Sequence, residues 1–311
     1  MVLLEQLPGA ISQGLIWGIM AIGVYITYKI LDLADLTVDG SFCTGAAVCV
    51  VLIMKGYNVW IALVGAFCAG VLTGLVTGLL HTFFGISAIL AGILTQLGLW
   101  SVNLAIMGKP NQSVSVNNYN LLVALRYLDD VKKGVRPFYN SPIFVVGIIV
   151  AVIIALLYWF FGTELGSAIR ATGANPNMAR AQGINTNVNK ILGLMLSNGM
   201  VAFAGSLMAQ YQNFADINMG RGAIVIGLAA VIIGEVLFSK IFRNFALKLL
   251  SVVFGSIIYF IVMQTVLWLN IDANYLKLFS AIVVAIALGA PYLRSKYFSS
   301  ILQRKRGKSN A

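Results

Sequence analysis

The sequence predicts an all-α integral membrane protein with about nine membrane segments. Hydrophobic residues make up 59% of the 311-residue chain and charged residues only 10%. A soluble domain of this size would carry about 25% charged residues. The apolar residues also form long runs, most of which approach the roughly 20 residues that a helix needs to cross a bilayer. Composition and run length therefore argue against a soluble helical bundle.

Nine apolar runs carry the predicted segments. Their approximate bounds are 10–28, 40–54, 58–80, 86–107, 142–161, 190–210, 222–238, 246–268 and 275–292. No Lys or Arg precedes the first run, so it lacks the basic start of a signal peptide and is expected to remain as the first span. We expect a transmembrane domain at residues 1–292 and a basic cytoplasmic tail at residues 293–311.

Two of the predicted segments, 42–54 and 224–238, are too short to cross a hydrocarbon core of about 30 Å comfortably. Each follows a polar leader that contains glycine, LTVDGS in the first case and INMGRG in the second. They hold matching places in the first four and the last four segments. Short, glycine-interrupted segments in corresponding halves point to a transport site between inverted repeats. Alternatively, the polar neighbours complete each crossing, or both segments are re-entrant.

The distribution of basic residues leaves the topology open. If all nine segments cross, the N-terminus is outside and the C-terminus is cytoplasmic. Of the 21 Lys and Arg residues, 13 then fall inside and 8 outside, which follows the positive-inside rule only weakly. The basic loop at residues 108–141 does not follow the rule, because it would lie outside. Two re-entrant segments would turn this loop inward and improve the count.

The polar stretch GANPNMARAQGI, residues 173–184, has the features of a complete short helix. Asn175 is a favourable N-cap, and Pro176 suits the first helical position, where its missing N–H costs nothing. Gly183 can adopt the left-handed turn that ends a helix. A helix of about two turns is not stable alone in water. We therefore expect it to dock on a surface, with a plain connector as the alternative.

Polar side chains within the apolar runs mark a candidate transport path. Gln96, Trp100 and Asn103 stand at i, i+4 and i+7, so they share one helix face. Such a face would be costly against lipid, so it should meet a water-filled path or other helices. The same two alternatives, a water-filled path or contact with other helices, apply to Asn198. Gly70, Gly74 and Gly78 form a GxxxGxxxG ridge, which predicts close helix packing.

Few acidic residues and cysteines fall in or near the apolar runs. Glu235 is expected to form an ion pair at the membrane interface, where Lys240 and Arg243 follow it, with a substrate or proton contact as the alternative. Asp39 is expected to cap its own segment, whereas Asp32 and Asp35 could instead contact a partner protein. The three cysteines are expected to be buried, with no metal-ligand spacing. The basic tail is typical of a lipid-facing anchor and does not indicate nucleic-acid binding.

A longer run around the short helix carries a family resemblance. GSAIRATGANPNMARAQGINTNVNKILGLMLSNGMVAFAG resembles the cytoplasmic loop and following span of ABC-importer permeases of the branched-chain amino acid type. LTVDGSF, LAGILTQLGLW and IGLAAVIIGEVLF resemble other spans of that family, so the resemblance covers most of residues 10–290. LTVDGS and IIGEVLF are most similar to a Gram-positive subgroup often assigned tryptophan or tyrosine uptake. The matching positions in the long run are Arg170, Ala179, Ala181, Gly183, Ile184, Asn185, Ala204 and Gly205.

In this family the short helix is a coupling helix seated in a cleft of the ATPase, which implies that residues 163–190 are cytoplasmic. Met178, Ala179 and Ala181 are then expected to meet the cleft. The resemblance also implies a multi-pass protein of the bacterial plasma membrane. Its partners would be a second copy of the chain, two ABC ATPase subunits and an extracellular substrate-binding lipoprotein. The implied coupling residues are Arg170, Asn175, Pro176, Met178, Ala179, Arg180, Ala181 and Gly183.

No nucleotide-binding or catalytic motif is visible in this chain. Its one GKS sequence, residues 307–309, has Leu302 where a P-loop needs its first glycine. We therefore expect no enzyme activity and no cofactor here, with ATP and Mg bound by the partner ATPase. The expected function is that of a permease subunit which moves a small metabolite, with an aromatic amino acid favoured. A secondary transporter or channel is the alternative, disfavoured by the scarcity of ionisable residues within the apolar runs.

Overall fold

The computed structural model describes residues 3–238, 241–269, 275, 278–286 and 289, and it is almost entirely helical. A π-helical turn, Ile26–Ile30, continues the first helix, and a 3-10 turn, Phe138–Asn140, precedes the sixth α-helix. The elements in chain order are α1 (Leu3–Tyr25), α2 (Val38–Met54), α3 (Val59–Thr82), α4 (Ala88–Met107), β1 (Asn111–Ser113), α5 (Arg126–Lys132), α6 (Pro142–Gly162), α7 (Glu164–Ala174), α8 (Pro176–Ala181), α9 (Thr186–Gln212), β2 (Phe214–Asp216), α10 (Ala223–Phe238) and α11 (Phe245–Trp268).

Six helical stretches in the described chain are long and apolar enough to cross a membrane. They are α1 with its π-helical turn, α3, α4, α6, α9 and α11, and α2 and α10 are shorter apolar helices. The all-α membrane fold is thereby confirmed. The ninth predicted segment, 275–292, lies only partly within the described residues, of which 278–286 are helical. The predicted tail at residues 293–311 lies outside them.

The two ends of the bundle are defined by the two ends of α9, which has 27 residues and is about 40 Å long. Its first residue follows α8, and its last residue precedes β2, which pairs antiparallel with β1. We call these the α8 end and the sheet end. Residues 108–141 extend from β1 and therefore lie at the sheet end, opposite α7 and α8.

The two short helices, α2 and α10, each continue a leader that enters the bundle from one end. α2 has 17 residues and α10 has 16, about 26 and 24 Å at the helical rise per residue. After Ile30, at the α8 end, the chain turns back into the bundle, and α2 carries it to the sheet end, where the Gln112 amide contacts the Met54 sulfur. Residues 213–222 enter from the sheet end in the same way, and α10 continues to the α8 end. Within the described residues, each leader and its short helix together run from one end of the bundle to the other.

The core forms where α9 packs on α1, α2 and α3. The three ridge glycines lie on the face of α3 that meets α9. A side chain at Gly70 would overlap the carbonyl oxygen of Asn198, and one at Gly74 would overlap that of Leu194. Gly78 packs on Ile191. The absence of side chains at these positions lets the two backbones approach closely.

The cysteines differ in part from the expectation. Cys43 and Cys49 are buried, but Cys68 is exposed on the outer surface of α3. In a bilayer that surface meets lipid, where a thiol is as acceptable as a small hydrophobic side chain.

Candidate transport site

The starts of α2 and α10 meet inside the bundle, and Asp39 joins them. Its carboxylate accepts hydrogen bonds from the backbone amides of Gly222, at 2.8 Å, and Ile224, at 3.0 Å. The prediction that Asp39 caps its own helix is therefore wrong. α2 begins at Val38, so Asp39 is already past the cap position and its side chain reaches the free amides of α10 instead.

A cavity of about 310 Å³ lies at this junction. It is bounded by the start of α2, by one face of α4 and by the leader of α10. Gln96, Trp100 and Asn103 line it together, as their shared helix face predicts. The full lining consists of Asp39, Gly40, Cys43, Gln96, Leu97, Trp100, Asn103, Ile217 and Arg221.

Asn103 and Trp100 present very different surfaces to this cavity. The Asn103 side chain is 1% exposed, and its amide nitrogen lies 3.4 Å from the carbonyl oxygen of Gly40. Its amide oxygen is buried and has no hydrogen-bond partner in the described part of the chain. Trp100 is 46% exposed. The cavity lining thus contains a hydrogen-bond acceptor that has no partner among the described residues, and an exposed aromatic ring.

Asn198, the fourth predicted path residue, does not line this cavity. Its amide oxygen accepts from the Ser41 hydroxyl at 2.6 Å, and its amide nitrogen donates to Asp35 Oδ2 at 2.7 Å. The network continues from Ser41 to Thr73 at 2.7 Å. The geometry of Asn198 corresponds to interhelical hydrogen bonding, the alternative interpretation of this residue.

The same network determines the place of Asp35. Its carboxylate also accepts from the Thr37 amide at 2.9 Å, and the residue is 3% exposed. Contact between Asp35 and a partner protein is therefore excluded by burial. Asp32 is exposed at the α8 end, where such a contact is sterically open.

Arg221 is the lining residue that the sequence interpretation missed. It belongs to the leader INMGRG, and its side chain is exposed. Among the described residues it has no ion-pair partner within 4.0 Å. The available signal was a lone cation inside a glycine-bearing leader of a short segment.

At the α8 end, the short helix has the local structure that its sequence indicates. Asn175 Oδ1 accepts from the amides of Asn177 and Met178, both at 3.1 Å. Pro176 occupies the first helical position, and Gly183 has a φ of 80°. The Arg180 guanidinium donates to the Thr186 hydroxyl at 2.8 Å. This bond ties α8 to the first turn of α9.

The orientation of α8 corrects one of the predicted contacts. Met178 is 63% exposed, whereas Ala179 is 3% exposed. Ala181 and Arg170 are exposed as well. The Ala179 carbonyl also accepts from the Ile184 amide at 3.0 Å. Ala179 therefore faces its own chain, and the expectation that its side chain meets a partner cleft is wrong.

A basic cleft of about 770 Å³ lies at the same end of the bundle, between α7 and the start of α11. Glu235 pairs with Lys29 at 3.2 Å near this cleft. Arg243, which follows Glu235 in sequence, lines the cleft without pairing with it, and Lys240 lies outside the described residues. Because α10 returns beside the end of α1, the nearest cation belongs to another helix. The charged residues that line the cleft are Lys29, Asp32, Arg170, Arg243 and Lys248.

Three known proteins illustrate what the chain is similar to. A tyrosine transport system permease protein of Clostridioides difficile (strain R20291) is 40% identical over 88% of this chain and 87% of its own length. An uncharacterized protein of Rickettsia prowazekii (strain Madrid E) is 36% identical over 90% and 96% of the two chains. The fructose import permease protein FruF of Bifidobacterium longum (strain NCC 2705) is 24% identical over 88% and 73%.

A solved structure shares the fold. The structure described as PsaBC from Streptococcus pneumoniae in complex with Fab aligns with a TM-score of 0.52 at 18% sequence identity. The alignment covers 92% of this chain and 94% of that one. The family model for the permease component of branched-chain amino acid transport systems matches residues 7–288. The chain therefore belongs to the family of branched-chain amino acid transport system permease components.

Proposed function

We propose that this chain is the membrane permease subunit of an ATP-driven importer of amino acids, with aromatic amino acids as the preferred class. The observation that carries the substrate class is the 40% identity, over most of both chains, to a protein named as a tyrosine transport system permease. An aromatic substrate also suits a cavity lined by Trp100, since offset aromatic contacts contribute about 0.5–1.5 kcal/mol beyond burial.

The α8 end is proposed to be cytoplasmic and α8 to be the coupling helix. Exposed Met178 and Ala181 would seat in the cleft of an ATPase, while Arg170 would lie at its edge. An exposed methionine on a short helix is an adaptable apolar contact. The bond from Arg180 to Thr186 provides a direct route for movement of α8 into α9, and α9 is packed on α1, α2 and α3.

The proposed complex contains two copies of this chain and two ATPases. One coupling helix per permease serves one ATPase, and such an arrangement is typically two-fold symmetric. The sheet end would then face the outside of a bacterial plasma membrane, with the N-terminus there as well, and would receive substrate from a binding protein. ATP and Mg would be bound by the ATPases, whose closure rocks the permeases between inward-open and outward-open states.

ATP dependence is the decisive test of this function. The permease is purified with its ATPase, reconstituted in proteoliposomes, and supplied with loaded binding protein and labelled tyrosine. We expect uptake that requires ATP inside the liposomes and that stops with a hydrolysis-deficient ATPase. Uptake by the permease alone, driven by a proton or sodium gradient, would instead identify a secondary transporter.

A further inference from the structure

Arg221 is a cation in an unusual position. It directly precedes Gly222, whose amide is bound by Asp39, so it lies where α2 and α10 begin within the bundle. Charged side chains at such depth are costly unless they face a cavity, a water-filled path or a partner charge. The structure offers Arg221 no ion pair in the described residues, and its side chain borders the 310 Å³ cavity.

Asp39 does not neutralise this cation by direct pairing. Both of its carboxylate oxygens accept from backbone amides of α10, those of Gly222 and Ile224. The carboxylate therefore balances the positive start of that helix. The guanidinium of Arg221 has no hydrogen-bond or ion-pair partner among the described residues, and its donors lie in the planar arrangement that matches a carboxylate.

Asn103 supplies a second, independent indication of a ligand. Its side chain is almost completely buried, it lines the same cavity, and its amide oxygen has no partner among the described residues. A buried acceptor without a partner is costly. A donor from a molecule in the cavity would satisfy it.

We propose that this cavity binds the zwitterion of an α-amino acid, with the carboxylate on Arg221 and the ammonium group on Asn103 Oδ1. The side chain of the amino acid then lies against the exposed ring of Trp100. This assignment rests on the proposed function and deepens it, since it names the groups that recognise the substrate class. The cavity volume falls at the lower end of the range of small-molecule sites, about 300–1,000 Å³.

The same groups disfavour other solutes. A cationic solute would be repelled by Arg221, and a neutral sugar would leave its charge without a partner. An acid that lacks an amino group would leave Asn103 Oδ1 unsatisfied. A solute that carries both an anion and a donor satisfies both Arg221 and Asn103 Oδ1.

The first experiment compares Arg221→Gln and Arg221→Lys with wild type in proteoliposomes that contain the ATPase and loaded binding protein. Both labelled tyrosine uptake and stimulated ATP hydrolysis are measured. We expect Arg221→Gln to lower uptake about tenfold or more, because a hydrogen-bonded charge pair is lost. Arg221→Lys keeps the positive charge but lacks the planar guanidinium, so its uptake should fall less than that of Arg221→Gln. Hydrolysis should persist in both, since α8 is unaltered.

The matched control is Lys109→Gln, which removes an exposed cation near the sheet end outside the cavity. Its uptake should equal that of wild type. A charge-rescue experiment then separates recognition from packing. Arg221→Cys is prepared in a background in which Cys43, Cys49 and Cys68 are replaced and uptake is retained. Treatment with aminoethyl methanethiosulfonate restores a cation, and we expect it to recover uptake, whereas the sulfonatoethyl reagent should not.

The outcomes distinguish this site from the proposed function. If wild type imports tyrosine and Arg221→Gln imports it equally well, the site is wrong and the function stands. Equal effects of the two thiol reagents would also overturn the role of the Arg221 charge. If the wild-type complex imports no amino acid, the proposed function fails and the assigned ligand fails with it.

Discussion

The carboxylate of Asp39 on α2 lies 2.8 Å from the backbone nitrogen of Gly222 at the start of α10. This contact joins the two short helices across 183 residues of sequence. It places the two glycine-bearing leaders together, and the cavity lined by Gln96, Trp100 and Asn103 lies beside them. The candidate transport site is therefore built at the meeting point of two segments that are only partly helical.

Replacement of Asp39 by Ala should destabilise this junction. Loss of a helix N-cap typically costs about 0.5–2 kcal/mol, and two amides of α10 would lose their acceptor. We expect a lower melting temperature of the purified permease in detergent, with a smaller decrease for Asp39→Asn. Asp129→Ala, which removes an exposed carboxylate from α5, is the control. An unchanged melting temperature for Asp39→Ala would show that the cap contributes no stability.

Replacement of Gly74 by Ala should weaken the contact between α3 and α9. The added methyl group would overlap the Leu194 carbonyl, and such overpacking costs about 1–3 kcal/mol. Gly98→Ala on α4 is the matched control, because nothing lies within 4 Å of its added carbon. We expect a lower melting temperature for Gly74→Ala only. Equal values for the two variants would contradict close packing along the ridge.

Asn198→Leu distinguishes a structural from a transporting role. The change leaves the buried Asp35 Oδ2 and one bond of Ser41 without their partner, which costs about 1–3 kcal/mol. We expect a loss of thermal stability, while the permease that remains folded still imports substrate. Asn187→Leu, at an exposed position in the first turn of α9, serves as the control. A stable variant with abolished uptake would instead place Asn198 in the transport path.

Trp100→Ala and Asn103→Leu test the cavity as the transport path. Both changes alter its lining, so tyrosine uptake should fall severalfold while expression and ATPase binding persist. Trp159→Ala removes an indole that is exposed on α6, far from this lining, and should leave uptake unchanged. If both cavity variants transport normally, the polar face of α4 serves packing and the path lies elsewhere.

Local sequence patterns predicted the helices and their ends more successfully than their partners. Asn175, Pro176 and Gly183 specified α8 because capping depends on neighbours in sequence. The inward orientation of Ala179 depends on how α8 docks against α9, which a six-residue helix does not encode. The pairing of Asp39 with Gly222 depends on two distant leaders meeting. The charge count was equally uninformative about topology, because basic residues lie at both ends of the bundle.

Coupling of this permease to an ATPase through α8 is tested by the variant Met178→Glu. The variant places a charge on the most exposed apolar side chain of α8 without disturbing the Asn175 cap or the bond from Arg180 to Thr186. Met178→Leu preserves the apolar surface and is the matched control. ATP hydrolysis by the reconstituted complex is measured with and without loaded binding protein. We expect Met178→Glu to lose stimulated hydrolysis and uptake together, while Met178→Leu retains both. Full stimulation of Met178→Glu would contradict this coupling and leave α8 as a connector.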